Sequence, residues 1–192
     1  MKSILSSIRP KWVAKIFNGK KTIEIRKKFP KDYVGWVYIY CTKEDDLGCI
    51  KKIAKDKYVC GKDFDINDFN YLASGYNGKG KVVARFWCDK VEEHRPFFHW
   101  CIEKETCLTR DEVLDYLDSK DKFVGNPKRQ DKVYAIHIND LKIFDKPKEL
   151  SEFKSCKKNI VNTKINGMVF ETELDNSLIK APQSWCYCEV GE

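Results

Sequence analysis

The chain has 192 residues, a formal net charge of +7, 42% hydrophobic and 13% aromatic residues. That is the length of one ordinary domain with enough apolar side chains for a real core, which excludes disorder throughout. No apolar run approaches the roughly 18 residues of a membrane-spanning helix. The opening MKSILSSIRPKW lacks the long apolar stretch and small-residue cleavage site of a signal peptide. A monomeric cytoplasmic protein is expected, with no membrane partner.

Residues 2–6 read as a first strand. Pro10 suits the first turn of a helix, where its missing N–H is not needed, and Trp12, Val13, Ile16 and Phe17 form one apolar stripe on a helix over residues 10–18. Gly19 stops it. Thr22 to Arg26 alternates as a strand, with Ile23 and Ile25 on one face and Thr22, Glu24 and Arg26 on the other. WVYIYC, residues 36–41, is an unbroken apolar run and predicts a central strand covered on both faces. Residues 43–79 are polar and read as a partly helical insertion ending in a loop at residues 75–80. Residues 81–91 return to strand character. Thr109-Arg-Asp-Glu112 is a capping box that opens a helix to about residue 117. VYAIHI, residues 133–138, predicts another strand, extending toward residue 144. A helical turn is expected at residues 150–153 and a closing strand over residues 184–190.

The positive charge is local. Residues 9–31 hold nine bases and one acid, Glu24, more than the whole chain's net charge of +7. A concentrated positive field attracts a polyanion, and a lysine-coated surface has the same composition. The nine cysteines, an odd number without an export signal, read as reduced thiols packed as small hydrophobes. A zinc site would have to draw on His94, His99, Cys101 and Cys107 or on Cys186 and Cys188, whose spacings fit no ligand motif. No metal and no cofactor is expected.

Three separated stretches carry a family likeness. ILSSIRPKWVAKIFNGKKTIEIRK, residues 4–27, contains G-x-K-x-x-E-x-R at Gly19, Lys21, Glu24 and Arg26. VYIYCT, residues 37–42, is followed by GKVVARF, residues 80–86. YAIHI, residues 134–138, is followed by Pro147, Leu150 and Phe153 and then by KAPQSWCY, residues 180–187. In these stretches the chain resembles the ASCH domain, a branch of the PUA-like β-barrels, over roughly 110 residues. The resemblance implies one α+β domain over residues 1–192: a small mixed β-barrel of about six strands with short helices over its ends. Residues 43–79, 94–130 and 157–177 fall outside the likeness and read as insertions between barrel strands.

The resemblance also implies a cleft beside the barrel, lined by the first helix, the motif strand and the C-terminal strand, binding RNA or a nucleotide that is single-stranded or modified. Gly19 turns the chain and Lys21 emerges at the mouth of the strand. Glu24 orients Lys21 or Arg26, and Arg26 can hold a phosphate or carboxylate with two parallel bonds. Arg9, Lys11, Lys27 and Lys28 supply backbone contacts. Gln183 and Ser184 add polar groups, and Trp185 is a stacking platform for a base. The bland alternatives are a structural Glu24–Arg26 pair and a core Trp185.

Catalysis is a separate reading, with Lys21, Glu24 and Thr22 as its candidates. Some small ASCH-like proteins resemble N4-acetylcytidine amidohydrolases in which a lysine activates a threonine. Here Glu24 stands at the threonine's position, and Thr22 is displaced by about 7 Å along the strand, which argues against that chemistry. A ribonuclease holding a divalent ion through Glu24 would need a second acid, for which Glu93, Glu103 and Glu105 are candidates. The remaining alternative is a protein-binding accessory factor whose insertions form the contact surface; its partner is unknown.

Overall fold

The structure is a computed structural model. It describes residues 2–43, 49–52, 57–60, 77–96, 100–117, 132–156, 160–165, 168–173 and 175–190. Among them are strands β1 (Ser3–Ile8), β2 (Ile23–Arg26), β3 (Gly35–Cys41), β4 (Cys49–Lys52), β5 (Lys57–Cys60), β6 (Val82–Cys88), β7 (Val91–His94), β8 (Val133–His137), β9 (Asn139–Lys148), β10 (Phe153–Ser155), β11 (Ile160–Ile165), β12 (Met168–Glu173) and β13 (Trp185–Val190). The helices among the described residues are α1 (Pro10–Phe17), α2 (Glu103–Thr106) and α3 (Arg110–Tyr116), with a 3-10 turn at Leu150–Glu152 where the helical turn is expected.

A mixed six-stranded sheet runs in the order β10-β13-β1-β3-β6-β9, and a three-stranded sheet in the order β2-β8-β7. β1 and β3 are parallel, with Ile4 opposite Val37 and Ile8 opposite Cys41; the other pairs are antiparallel. The period of two decides the layers. Val37, Ile39 and Cys41 join Ile4 and Ile8 in the core between the sheets, together with α1. Tyr38 and Tyr40 face the other way and meet Leu5, Phe153 and Cys188 in a second cluster. β3 is thus covered on both faces, as its unbroken apolar run requires.

Two expected long strands are each broken. Residues 81–91 divide into β6 in the large sheet and β7 in the small one. Residues 133–144 divide at Ile138, whose N–H donates to the Thr22 carbonyl (3.0 Å), into β8 and β9. Both breaks are corners where the chain passes from one sheet to the other, which gives the α+β fold its barrel-like form around a shared core. Periodicity does not see such corners, because hydrophobic alternation continues through them.

Within the expected insertions, residues 43–79 contain the hairpin β4–β5; 44–48, 53–56 and 61–76 lie outside the described residues, and with them the helical part expected there. The hairpin docks on the end of α1, where Asn18 exchanges two hydrogen bonds with the Tyr58 backbone (2.7 and 3.1 Å) and Phe17 meets the Tyr58 ring edge-on at 4.7 Å. Residues 157–177 contain the hairpin β11–β12. In α3 the capping box forms: the Thr109 hydroxyl accepts from the Glu112 N–H (3.2 Å) while the Glu112 carboxylate accepts from the Thr109 N–H (2.8 Å). Thr109→Ala is expected to lower stability by about 1 kcal/mol, measured by urea unfolding.

Candidate functional site

The polar row of β2 is turned into the protein. Lys21, Glu24 and Arg26 are only 2%, 5% and 7% exposed. Lys21 stands just before β2, in the segment where Gly19 takes the left-handed backbone (φ +70°) that a glycine adopts without strain. The N–H groups of both Lys20 and Lys21 donate to the Lys15 carbonyl (2.9 and 3.1 Å), fixing the turn out of α1. From there the Lys21 side chain runs inward, not to a mouth. Its Nζ donates to the Thr106 carbonyl (2.7 Å), an unpaired acceptor at the end of α2, and lies 3.4 Å from Glu24 Oε2.

Glu24 serves both cations, because its other oxygen, Oε1, accepts from Arg26 Nη1. Arg26 Nη1 also donates to the Ile25 carbonyl (2.9 Å), and Nη2 donates to the Ser6 hydroxyl and the Ser7 carbonyl (2.8 Å each). Ser6 meets Arg26 because it shares a face of β1 with Ile4 and Ile8, which look toward the second sheet. Among the described residues the buried Arg26 Nε has no hydrogen-bond partner. Burial pushes the Lys21 ammonium below its ordinary range, and the Glu24 carboxylate opposes the shift. At 3.4 Å and an effective dielectric of about 20, one such pair attracts by roughly 5 kcal/mol. Desolvating each ion costs several kcal/mol. Two cations and one carboxylate therefore make a costly arrangement with one positive charge in excess.

This chain of charges forms the floor of a cleft of about 640 Å³. One wall is the end of β1 and the start of α1, with Ser7, Arg9, Lys11 and Trp12; Thr42 from the end of β3 and Gln183 and Ser184 before β13 complete it. The Trp12 ring has three ammonium groups over it, Lys11 at 4.5 Å, Lys15 at 4.7 Å and Lys21 at 5.2 Å. The opposite wall is Leu108 and α3, with Glu112, Asp115 and Tyr116. The Glu112 carboxyl is held below its ordinary range first by the Thr109 N–H bond, and Lys11 and Lys15 add to that. The lining is thus of mixed charge, cationic on the α1 side and carboxylate on the α3 side.

Of the residues that sequence patterns single out, Arg9, Lys11, Lys21, Glu24, Arg26, Gln183 and Ser184 come together in this cleft. Gly19, Thr22, Lys27, Lys28 and Trp185 do not line it. Thr22 is exposed just outside β2, and its N–H donates to the Glu105 carbonyl (2.9 Å). Lys27 lies over the Tyr116 ring at 5.0 Å, and Lys28 is exposed. Trp185 is half-buried and is not among the residues that line the cleft. Its indole N–H donates to the Lys28 carbonyl (2.6 Å) and its ring packs on Phe29 (5.4 Å) and Tyr187 (5.5 Å). Among the candidate acids, Glu93 pairs with Lys132 at 3.0 Å, and neither it nor Glu103 nor Glu105 lines the cleft. The candidate zinc ligands go elsewhere: the Cys107 thiol donates to the Lys20 carbonyl (3.2 Å), Cys101 is exposed and His94 meets the Trp100 ring, while His99 lies outside the described residues.

The carboxylate wall is what sequence reading missed. Residues 94–130 look like an elaboration, yet they supply the Thr106 carbonyl and a whole side of the cleft. The signal was present in α3: Val113 and Leu117 pack on Ile25 from below, while Glu112, Asp115 and Tyr116, at i, i+3 and i+4, share another face. In the sequence Trp12 shows only as part of the apolar stripe of α1.

No protein-family model and no curated protein matches the chain. Among solved structures it is similar to the crystal structure of ASCH from Zymomonas mobilis, with a TM-score of 0.48 and 17% identity, covering 78% of this chain and 74% of that one. Two mutant forms of that protein align over 78% of this chain as well, each at 16% identity, with TM-scores of 0.48 and 0.46 and coverage of 77% and 75% of their own chains.

Proposed function

We propose that the cleft binds RNA or a nucleotide, with the negatively charged part of the ligand drawn to the α1 wall and the buried floor. The observation that carries this reading is the floor itself: two buried cations, Lys21 and Arg26, share one carboxylate, Glu24. A buried charge excess is costly to fold, and an anion entering the cleft neutralises it. The size of the cleft, about 640 Å³, falls in the range of small-molecule sites. Arg9 and Lys11 extend the positive side outward, and Lys28 and the other exposed bases of residues 9–31 add a field that steers a polyanion.

The test is a titration with short single-stranded RNA at several salt concentrations. Affinity falls linearly with salt on logarithmic axes, and Arg9→Glu with Lys11→Glu weakens binding for every sequence alike. Absence of binding at low salt would overturn the reading.

A hydrolase acting on RNA or a modified nucleoside is the second reading, favoured by one observation. Lys21 is a buried amine held below its ordinary range at the bottom of a cleft, the condition in which lysine transfers protons. The hydroxyls that line the cleft belong to Ser7, Thr42, Ser184 and Tyr116 rather than to Thr22. Product formation that disappears in Lys21→Ala would favour hydrolysis over binding alone.

A further inference from the structure

We infer that Asp115 gives the cleft a preference for guanine among the nucleobases. The inference rests on the nucleotide-binding reading and adds the choice of base, which that reading leaves open. Three features of the α3 wall lead to it.

First, the wall is chemically opposite to the cationic side chains of the lining. Arg9, Lys11, Lys21 and Arg26 can only donate hydrogen bonds, whereas the carboxylates of Glu112 and Asp115 can only accept them when ionised. A ligand that satisfies both sides carries acceptors at one end and N–H donors at the other. A nucleotide does, with its phosphate oxygens at one end and the hydrogen-bonding edge of its base at the other.

Second, the two carboxylates are not equally available. Glu112 is committed to Thr109, accepting from both its N–H (2.8 Å) and its hydroxyl (3.2 Å) through one oxygen. Among the described residues the Asp115 carboxylate takes no hydrogen bond, and Asp115 is an exposed residue of the cleft lining, so both its oxygens are open to a ligand as a pair of acceptors. The helix that carries it is held in place. The Thr109 capping box starts it, Val113 and Leu117 anchor it on Ile25 and Val133, and the preceding turn is pinned by Lys21 on the Thr106 carbonyl.

Third, Tyr116 follows Asp115, is 40% exposed and has the Lys27 ammonium 5.0 Å from its ring centre. It offers an aromatic face beside the acceptor pair, as base recognition in single strands uses.

Two acceptor oxygens side by side match two parallel N–H donors. Guanine presents that fork, its ring N1–H next to its 2-amino group. Adenine and cytosine each offer an amino group next to a ring acceptor. Uracil offers one N–H between two carbonyls that oppose a carboxylate. Hypoxanthine keeps the ring N–H of guanine and lacks the amino group, so it isolates the second bond.

The experiment measures the binding of the 5′-monophosphates of guanosine, inosine, adenosine, cytidine and uridine to the full chain and to Asp115→Asn by calorimetry at one ionic strength. The guanosine nucleotide is expected to bind about tenfold tighter than the uridine nucleotide, the scale of one good two-bond base contact, with the inosine nucleotide between them. Asp115→Asn is expected to bring guanosine and uridine nucleotides within about twofold of each other, since its amide offers one acceptor and a donor in place of two acceptors. An unchanged midpoint of urea unfolding verifies that the variant is folded. Equal affinities in the parent chain, or a guanosine preference that survives Asp115→Asn, would overturn the inference while leaving nucleotide binding standing. Failure of every nucleotide to bind would overturn both.

Discussion

Glu24→Gln is expected to destabilise the protein by about 3–5 kcal/mol, the cost of removing one partner from a buried ion pair. The size follows from position rather than from the number of contacts. Among the described residues Glu24 is the one carboxylate that touches both Lys21 and Arg26, and all three side chains are less than one tenth exposed. The amide keeps the shape and one acceptor but removes the charge, leaving two buried cations close together with no counter-ion. Adding Lys21→Met to Glu24→Gln removes one of those cations, so the double variant recovers part of the loss. Urea unfolding of the parent, both single variants and the double variant gives the coupling directly. Additive losses would show that Glu24 is not balancing the two cations.

The second large effect is on binding. Lys21→Met is expected to leave stability close to that of the parent and to weaken anion binding by about ten- to a hundredfold, the range of a charge-assisted hydrogen bond. Methionine fills much of the same space and leaves Glu24 and Arg26 as a balanced pair. Against that gain stands the Thr106 carbonyl, which loses its donor, so the two contributions largely offset each other. Binding has no such compensation, since the excess positive charge of the floor is gone.

The pH dependence of stability separates the same two variants. Burial lowers the Lys21 pKa in the folded chain below the ordinary value of 10.5. Between the lowered value and 10.5 the unfolded chain holds a proton that the folded chain has released, so the contribution of Lys21 to stability rises with pH in that window. Lys21→Met lacks this rise. The stability of the parent relative to the variant therefore increases toward alkaline pH, and a flat difference would contradict the buried position of Lys21.

The residues differ in how much of this could be read in advance. β3 was legible because Trp36 to Cys41 is apolar at every position and only a strand covered on both faces accepts that. The motif at Gly19, Lys21, Glu24 and Arg26 marked the floor of the cleft. Its burial was hidden, because an alternating strand of charged residues reads equally well as a solvated face. The corners at Asp89-Lys90 and Ile138 were hidden because alternation continues across a change of sheet. Trp185 illustrates the limit for single aromatics: a tryptophan near cations can be a platform or a support, and its packing on Phe29 and its bond to the Lys28 carbonyl are contacts that no pattern points to. The α3 wall was hidden for a different reason. Its capping box located the helix, but where the helix packs depends on Ile25 and Val133, both distant in sequence.

The central claim is that the cleft between α1 and α3 is the binding site. A crystal structure of the protein with a 5′-mononucleotide tests it most directly. The account predicts the nucleotide over the Lys21–Glu24–Arg26 floor, with its phosphate within hydrogen-bond distance of Arg9 or Lys11. A nucleotide bound outside the cleft, for instance beside Trp87 on the large sheet, with the floor empty, would contradict it.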